Sequence, residues 1–134
     1  MTGLVIKLAP GERILINGAV IENGDRRTRI NIQTPNANVL RLKDAIHPND
    51  AITPVKRLVY SIQLVLLGEK SASDIRVDIL KGIEDLSQVF TDPDSRLILD
   101  KASISLSESN FYKCLKSLRS LIPREDRLMA FREL

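Results

Sequence analysis

Cysteine, histidine and aromatic side chains are nearly missing from this 134-residue chain, which has one Cys, one His, no Trp, three Phe and two Tyr. The single thiol, Cys114, closes no intramolecular disulfide and builds no thiolate metal cage, so a disulfide-stapled scaffold is excluded. The single imidazole, His47, excludes a histidine-rich metal site and leaves a histidine-dependent triad without support. No apolar run is long enough to cross a bilayer, and no basic-then-apolar leader opens the sequence. The expected compartment is therefore the cytoplasm. Walker loops, GxGxxG fingerprints and GxSxG elbows are absent as well. Aromatics make up 4% of the chain, and none precedes Tyr60. The length suits one compact unit, or two small subdomains packed together.

What is present is an ordinary soluble composition with a mild basic excess, net +3. The excess is uneven. Residues 1–50 carry seven Lys/Arg against five Asp/Glu, residues 51–110 seven against nine, and residues 111–134 six against three. Basic ends around an acidic middle fit a polyanionic partner, though charge alone is a weak pointer.

The first fifty residues read with period two. LVIKL (4–8) sets Leu4, Ile6 and Leu8 on one side, and Pro10-Gly11 signals a turn. ILI (14–16) resumes the strand, Asn17-Gly18 punctuates it, and AVIE (19–22) runs into Asn23-Gly24, a hairpin dipeptide that tolerates positive φ. In TRINIQT (28–34), Ile30 and Ile32 face one way while Arg29, Asn31 and Gln33 face the other. VLRLK (39–43) is expected to turn Leu40 and Leu42 inward and Arg41 and Lys43 outward. Four or five short antiparallel strands follow from this, with one wet face and too little buried area to stand alone.

The remainder supplies helices. Thr53-Pro54 starts the first, with a core stripe of Val55, Leu58, Val59, Ile62, Val65 and Leu66. Ser71 with Asp74 caps a second, carrying Ile75, Ile79, Ile83, Leu86 and Phe90. Asp92-Pro93 begins a third, containing Leu97, Leu99, Ala102 and Leu106. Ser107 is expected to cap a fourth, with Phe111, Leu115, Leu118 and Ile122, which Pro123 kinks or restarts. The fold class is thus α+β, with an antiparallel β module over residues 1–50 and a bundle of about four helices over residues 51–134. The two regions are expected to pack as one unit.

Catalysis has no visible carrier. Asp92 and Asp94 read as a helix start rather than a carboxylate pair, Glu84-Asp85 and Glu125-Asp126 as solvated helix faces, and Cys114 as a partly buried, inert thiol. No cofactor is expected. Two basic constellations remain. The hairpin GDRRTR (24–29) with Arg41 and Lys43 offers guanidinium forks for phosphate oxygens, with the amides Asn31 and Gln33 beside Arg29 for base edges. An ordinary wet sheet face has the same composition. The series Lys113, Lys116, Arg119, Arg124 and Arg127 forms either a loose basic stripe or a solvated back face. Apolar residues off the main helical stripes (Leu64, Leu67, Val77 and Val89) keep open a protein partner or a homo-oligomer.

The segments LAPGERILINGAVIENGDRR (8–27), NVLRLKDAI (38–46), TPVKRLVYSIQ (53–63) and YKCLKSLRSLI (112–122) closely resemble the FlbT family of flagellum biosynthesis regulators. The resemblance spans nearly the whole chain. It implies a cytoplasmic, non-enzymatic, post-transcriptional repressor of flagellin synthesis that associates with the 5′ untranslated region of flagellin mRNA and promotes its decay. The stretch GERILI…NGDRRTRINIQTPNANVLRLKDAI also resembles the carbon storage regulator family of small RNA-binding β proteins, over about a third of the chain. That family carries an Arg before an acidic pair. Here Lys43 precedes Asp44, and Ala45 replaces the second acid. The expected RNA-facing set is Arg26, Arg27, Arg29, Arg41 and Lys43. The other class of reading is a protein-interaction module that binds flagellin or another flagellar regulator through the helices and affects the messenger indirectly. Without exposed aromatics in the β half, RNA contact there must rely on arginine, amides and backbone groups.

Overall fold

Five short strands are followed by five helices, in a computed structural model that describes residues 3–132. The ends of the two expected regions, residues 1–2 and 133–134, lie outside the described residues. The strands are β1 (Leu4–Leu8), β2 (Arg13–Ile16), β3 (Ala19–Glu22), β4 (Thr28–Ile32) and β5 (Val39–Arg41). The helices are α1 (Pro54–Leu66), α2 (Ala72–Val89), α3 (Pro93–Ser107), α4 (Phe111–Arg119) and α5 (Ile122–Arg132). The α+β class expected from the two hydrophobic periods is the one observed.

All strand pairs are antiparallel, in two sheets of order β1-β4 and β3-β2-β5. Ile6, Leu8, Ile30 and Ile32 of the first sheet meet Ile14, Ile16 and Val39 of the second, and Tyr112 of α4 closes this small core. The other face of the second sheet gives Leu15 and Leu40 to the helical core. β5 therefore lies between two cores, with Val39 buried in one and Leu40 in the other. The wet strands β1 and β4 form the outermost layer.

Two features of the β half differ from expectation. The dipeptide that closes a hairpin is Asn17-Gly18, not Asn23-Gly24. Asn17 (φ 48°) and Gly18 (φ 83°) both occupy the left-handed region, and Ile16 faces Ala19 across the turn. Asn23 works through its side chain instead. Its amide donates to the carbonyls of Ala9 and Arg26, each at 2.8 Å, and so ties the β1–β2 turn to the crossover that carries β4 back to β1. The second difference is at VLRLK. The strand stops at Arg41, and Leu42–Asp44 form a single 3-10 turn, which leaves Leu42 40% exposed rather than inward.

The helix starts at Thr53, Ser71 and Asp92 are as expected. Their side chains accept the backbone N–H of Lys56, Asp74 and Ser95, respectively. The fourth start is not at Ser107, which ends α3. Asn110 caps α4 by accepting from Lys113 at 3.1 Å. The chain breaks at Ser120–Leu121, and Pro123 sits in the first turn of a fifth helix, where its missing N–H costs nothing. Leu97 is 54% exposed rather than in the core. The buried stripe of α3 runs through Ser95, Leu99, Ala102 and Leu106, and a residue two positions from Leu99 lies on the far side of the helix. Cys114 is fully buried, and desolvation pushes its thiol up to about 12, so no thiolate forms at neutral pH.

Glu125 is the largest departure in the helical half. It is buried, not solvated, and its carboxylate accepts the Thr53 hydroxyl and, at 2.9 Å, the Val55 N–H. It thus fastens α5 to the N-terminus of α1, where a negative charge meets free N–H groups and the positive helix end. Glu125→Ala is expected to cost about 2 kcal/mol, the penalty for stranding those donors. Asp126 is itself exposed and 3.9 Å from the half-buried Lys56, so Asp126→Ala should change stability by less than about 0.5 kcal/mol. Urea denaturation of the two variants separates these outcomes, and equal midpoints would contradict the assignment.

Candidate nucleic-acid interface

The β1–β4 ladder alternates strictly. Leu4, Ile6 and Leu8 point inward, so Val5 and Lys7 point out, opposite Asn31 and Arg29 respectively. Lys7 and Arg29 are like charges directly facing each other, an arrangement that destabilises a sheet unless an anion lies between them. Beside this pair is an open depression of about 390 Å3 lined by Lys7, Leu8, Ala9, Arg27, Thr28, Arg29, Arg41 and Lys43. Five of its eight lining residues are cations.

Among the described residues one carboxylate faces this group, and it is already committed. Glu12 accepts the Arg41 Nε–H at 2.6 Å and the Nη2–H at 2.7 Å, a bidentate pair, and also the Ala9 N–H at 2.9 Å. These bonds, led by the one from Arg41, hold the Glu12 carboxyl down to about 2, and the same pairing raises Arg41 above its usual range. Arg41 Nη2 also donates to the Lys7 carbonyl at 2.6 Å, so the guanidinium links the two sheets. Lys43 stands 4.0 Å from Glu12, with its side chain largely exposed. Lys7, Arg27 and Arg29 have no carboxylate partner among the described residues.

Of the expected set, the fold brings together Arg27, Arg29 and Lys43, with Arg41 on the wall. Arg26 is exposed but does not line the depression, and its carbonyl is held by Asn23 and Thr28. Arg29, Arg41 and Lys43 do not project from one sheet face. Arg29 comes from the outer sheet, Arg41 from the inner sheet, and Lys43 from the 3-10 turn that follows it. Lys7 is the member that sequence reading missed. Its outward position in LVIKL was legible, but its pairing with Arg29 was not.

Three of the five C-terminal cations are tied down by ion pairs. Lys116 and Arg119 lie 3.3 and 3.6 Å from the buried Asp44, and Arg124 reaches Asp92 at 3.3 Å and Ser95 Oγ at 3.0 Å. They bind the helices to the β module and to each other. Among the described residues, no three His, Cys, Asp or Glu side chains gather where a metal ion could be held, and no helix is long and apolar enough to cross a membrane.

The fold and this depression define a small α+β protein whose principal charged site is a cluster of cations between its two sheets. The chain belongs to the FlbT family: the model of "Flagellar protein FlbT" matches residues 4–129. It is 34% identical over 125 residues to a "Probable flagellum biosynthesis repressor protein FlbT" of Caulobacter sp. (strain K31), which covers 92% of this chain and 93% of the relative. It is 36% identical over 130 residues to a protein of the same description from Rhodopseudomonas palustris (strain TIE-1), covering 95% and 98%. A "Flagellum biosynthesis repressor protein FlbT" of Caulobacter vibrioides (strain ATCC 19089 / CIP 103742 / CB 15) is 32% identical over 125 residues, covering 92% and 86%. No solved structure matches the chain.

Proposed function

We propose that this chain represses flagellum biosynthesis after transcription, by binding the 5′ untranslated region of flagellin mRNA and promoting its degradation in the cytoplasm. It acts by binding rather than by catalysis. The relatives' description as flagellum biosynthesis repressors supports the regulatory role. The observation that carries the RNA reading is the set of cations Lys7, Arg27, Arg29 and Lys43 around a depression whose one facing carboxylate is neutralised by Arg41. Such a group is completed by phosphate oxygens, which relieve the Lys7–Arg29 repulsion. Asn31 lies next to Arg29 on the same outward face and offers an amide to a base edge.

A gel shift with purified protein and a flagellin leader RNA, run at several salt concentrations, tests this. Three to four phosphate contacts to single-stranded RNA predict a log–log slope of roughly −2 to −3, or about a 15- to 60-fold loss of affinity between 50 and 200 mM salt. A slope near zero, or a shift only when a second protein is added, would overturn direct binding.

One observation favours the second reading. Val89, Leu128 and Phe131, 59%, 41% and 77% exposed, surround a depression on the helical half that is also lined by Arg124 and Arg127. A protein-interaction module would use this surface for flagellin or another flagellar regulator. Its affinity would change little with salt.

A further inference from the structure

β3 is an open sheet edge. All four of its residues are exposed, with Val20 64% and Ile21 40% exposed. The register fixes which backbone groups are free. Asn23 N–H bonds to the Glu12 carbonyl at 2.8 Å, so Ala19, Ile21 and Asn23 direct their backbone groups at β2. The N–H and C=O of Val20 and Glu22 therefore point away from the sheet, and no described residue bonds to them. Natural edges are usually blunted by Lys, Pro, a bulge or a covering segment. AVIE has no Lys, Pro, bulge or cover on its outer side, and its one charge, Glu22, is drawn back onto Arg13 of its own sheet.

We propose that β3 pairs antiparallel with β3 of a second copy of this chain, about a two-fold axis at Ile21. This register is self-complementary. Val20 of each copy faces Glu22 of the other, so all eight free backbone groups become four hydrogen bonds. Ile21 meets its own copy across the axis, extending outward the cross-strand row that begins at Ile14, a residue of the small core. No like charges face each other, because each Glu22 lies opposite a valine and keeps its own Arg13 at 2.9 Å. The two three-stranded sheets become one of six strands. Two four-residue edges bury far less than the roughly 1,000 Å2 of a stable interface, so the dimer is weak, with a dissociation constant on the order of 100 μM. The inference does not rest on the RNA reading.

Sedimentation equilibrium of the full chain from 10 μM to 1 mM tests it, with amide exchange measured at both ends of that range. A concentration-dependent dimer is expected, in which the Val20 and Glu22 amides gain protection. Added salt should tighten it slightly by screening the +3 charge on each copy, the opposite of its effect on RNA binding. Val20→Pro deletes an outward N–H without touching the bonds to β2, and Val20→Lys charges the edge. Each should weaken association at least tenfold with an unchanged thermal melt. Phe131→Ser should leave association unchanged. A monomer at 1 mM overturns the proposal. So does a dimer that survives both Val20 variants or is lost with Phe131→Ser. Should both Val20 variants unfold, the exchange data on the natural chain decide, and unprotected Val20 and Glu22 amides overturn it.

Discussion

Arg41→Met is expected to lower the stability of the fold by about 2 kcal/mol, although arginine at the end of a short strand looks like a surface residue. Methionine keeps most of the aliphatic volume but removes the guanidinium. Glu12, whose side chain is only 6% exposed, would then keep one backbone N–H and a lysine 4.0 Å away. Removing one partner of a deeply buried ion pair costs roughly 3–5 kcal/mol. The pair here lies at the rim of an open depression, where water screens what remains, so the cost falls below that range, to about 2 kcal/mol. The loss also frees the Lys7 carbonyl and with it the tie between the two sheets. The variant Glu12→Leu combined with Arg41→Met should recover much of the loss, because no stranded charge remains.

The same pair gives a pH signature with a definite sign. The Glu12 carboxyl sits at about 2 in the folded chain against about 4.5 when unperturbed. A depressed acid contributes stability that is fully present above the unfolded value and is lost as the pH falls through the folded one. The melting temperature of the natural chain should therefore fall between about pH 4.5 and 2 more steeply than that of Glu12→Gln. The two curves should converge at the acid end. Parallel curves across this window would show that the pair is not the source of the acid sensitivity.

Much of this architecture is local and was therefore legible. Alternation in TRINI sets Ile30 and Ile32 against Arg29 and Asn31, and Thr53, Ser71 and Asp92 announce three helices by their own capping chemistry. What resisted reading was decided at long range. Asn17-Gly18 and Asn23-Gly24 are identical dipeptides, and only the pairing of β4 with β1 determines which one turns. Arg41 finds Glu12 at a separation of 29 residues, and Glu125 finds Thr53 at 72. A charged side chain read from its neighbours in sequence defaults to solvent, so Glu125 was misplaced and the Glu12–Arg41 pair went unread. The candidate site suffered the same way. Arg27, Arg29 and Lys43 were named from composition, whereas Lys7 joined them only through the ladder and Arg41 left the free set through its carboxylate.

That exchange of residues changes the mutation that tests RNA binding. Replacing Arg29 and Arg41 by Glu would set a second carboxylate against Glu12 and confound binding with unfolding. Lys7→Glu with Arg29→Glu avoids the problem, since both side chains point outward and neither has an ion-pair partner among the described residues. The double variant removes two phosphate contacts and repels the backbone that made them, so a loss of roughly 100-fold or more at 50 mM salt is expected, with the salt slope reduced by about 1.4. Lys7→Glu alone is more telling. It turns a like-charge pair across the strands into an attractive one, so the thermal melt should rise slightly, by up to about 0.5 kcal/mol, while RNA affinity drops about tenfold. Stability and binding then move in opposite directions, which unfolding cannot mimic. The same net charge change made far from the depression, by Lys113→Glu with Arg127→Glu, should weaken binding only a few-fold, through the overall field. If the distant pair costs as much as Lys7 and Arg29, the protein is merely a diffuse cation to RNA, and the depression between its sheets is not the site.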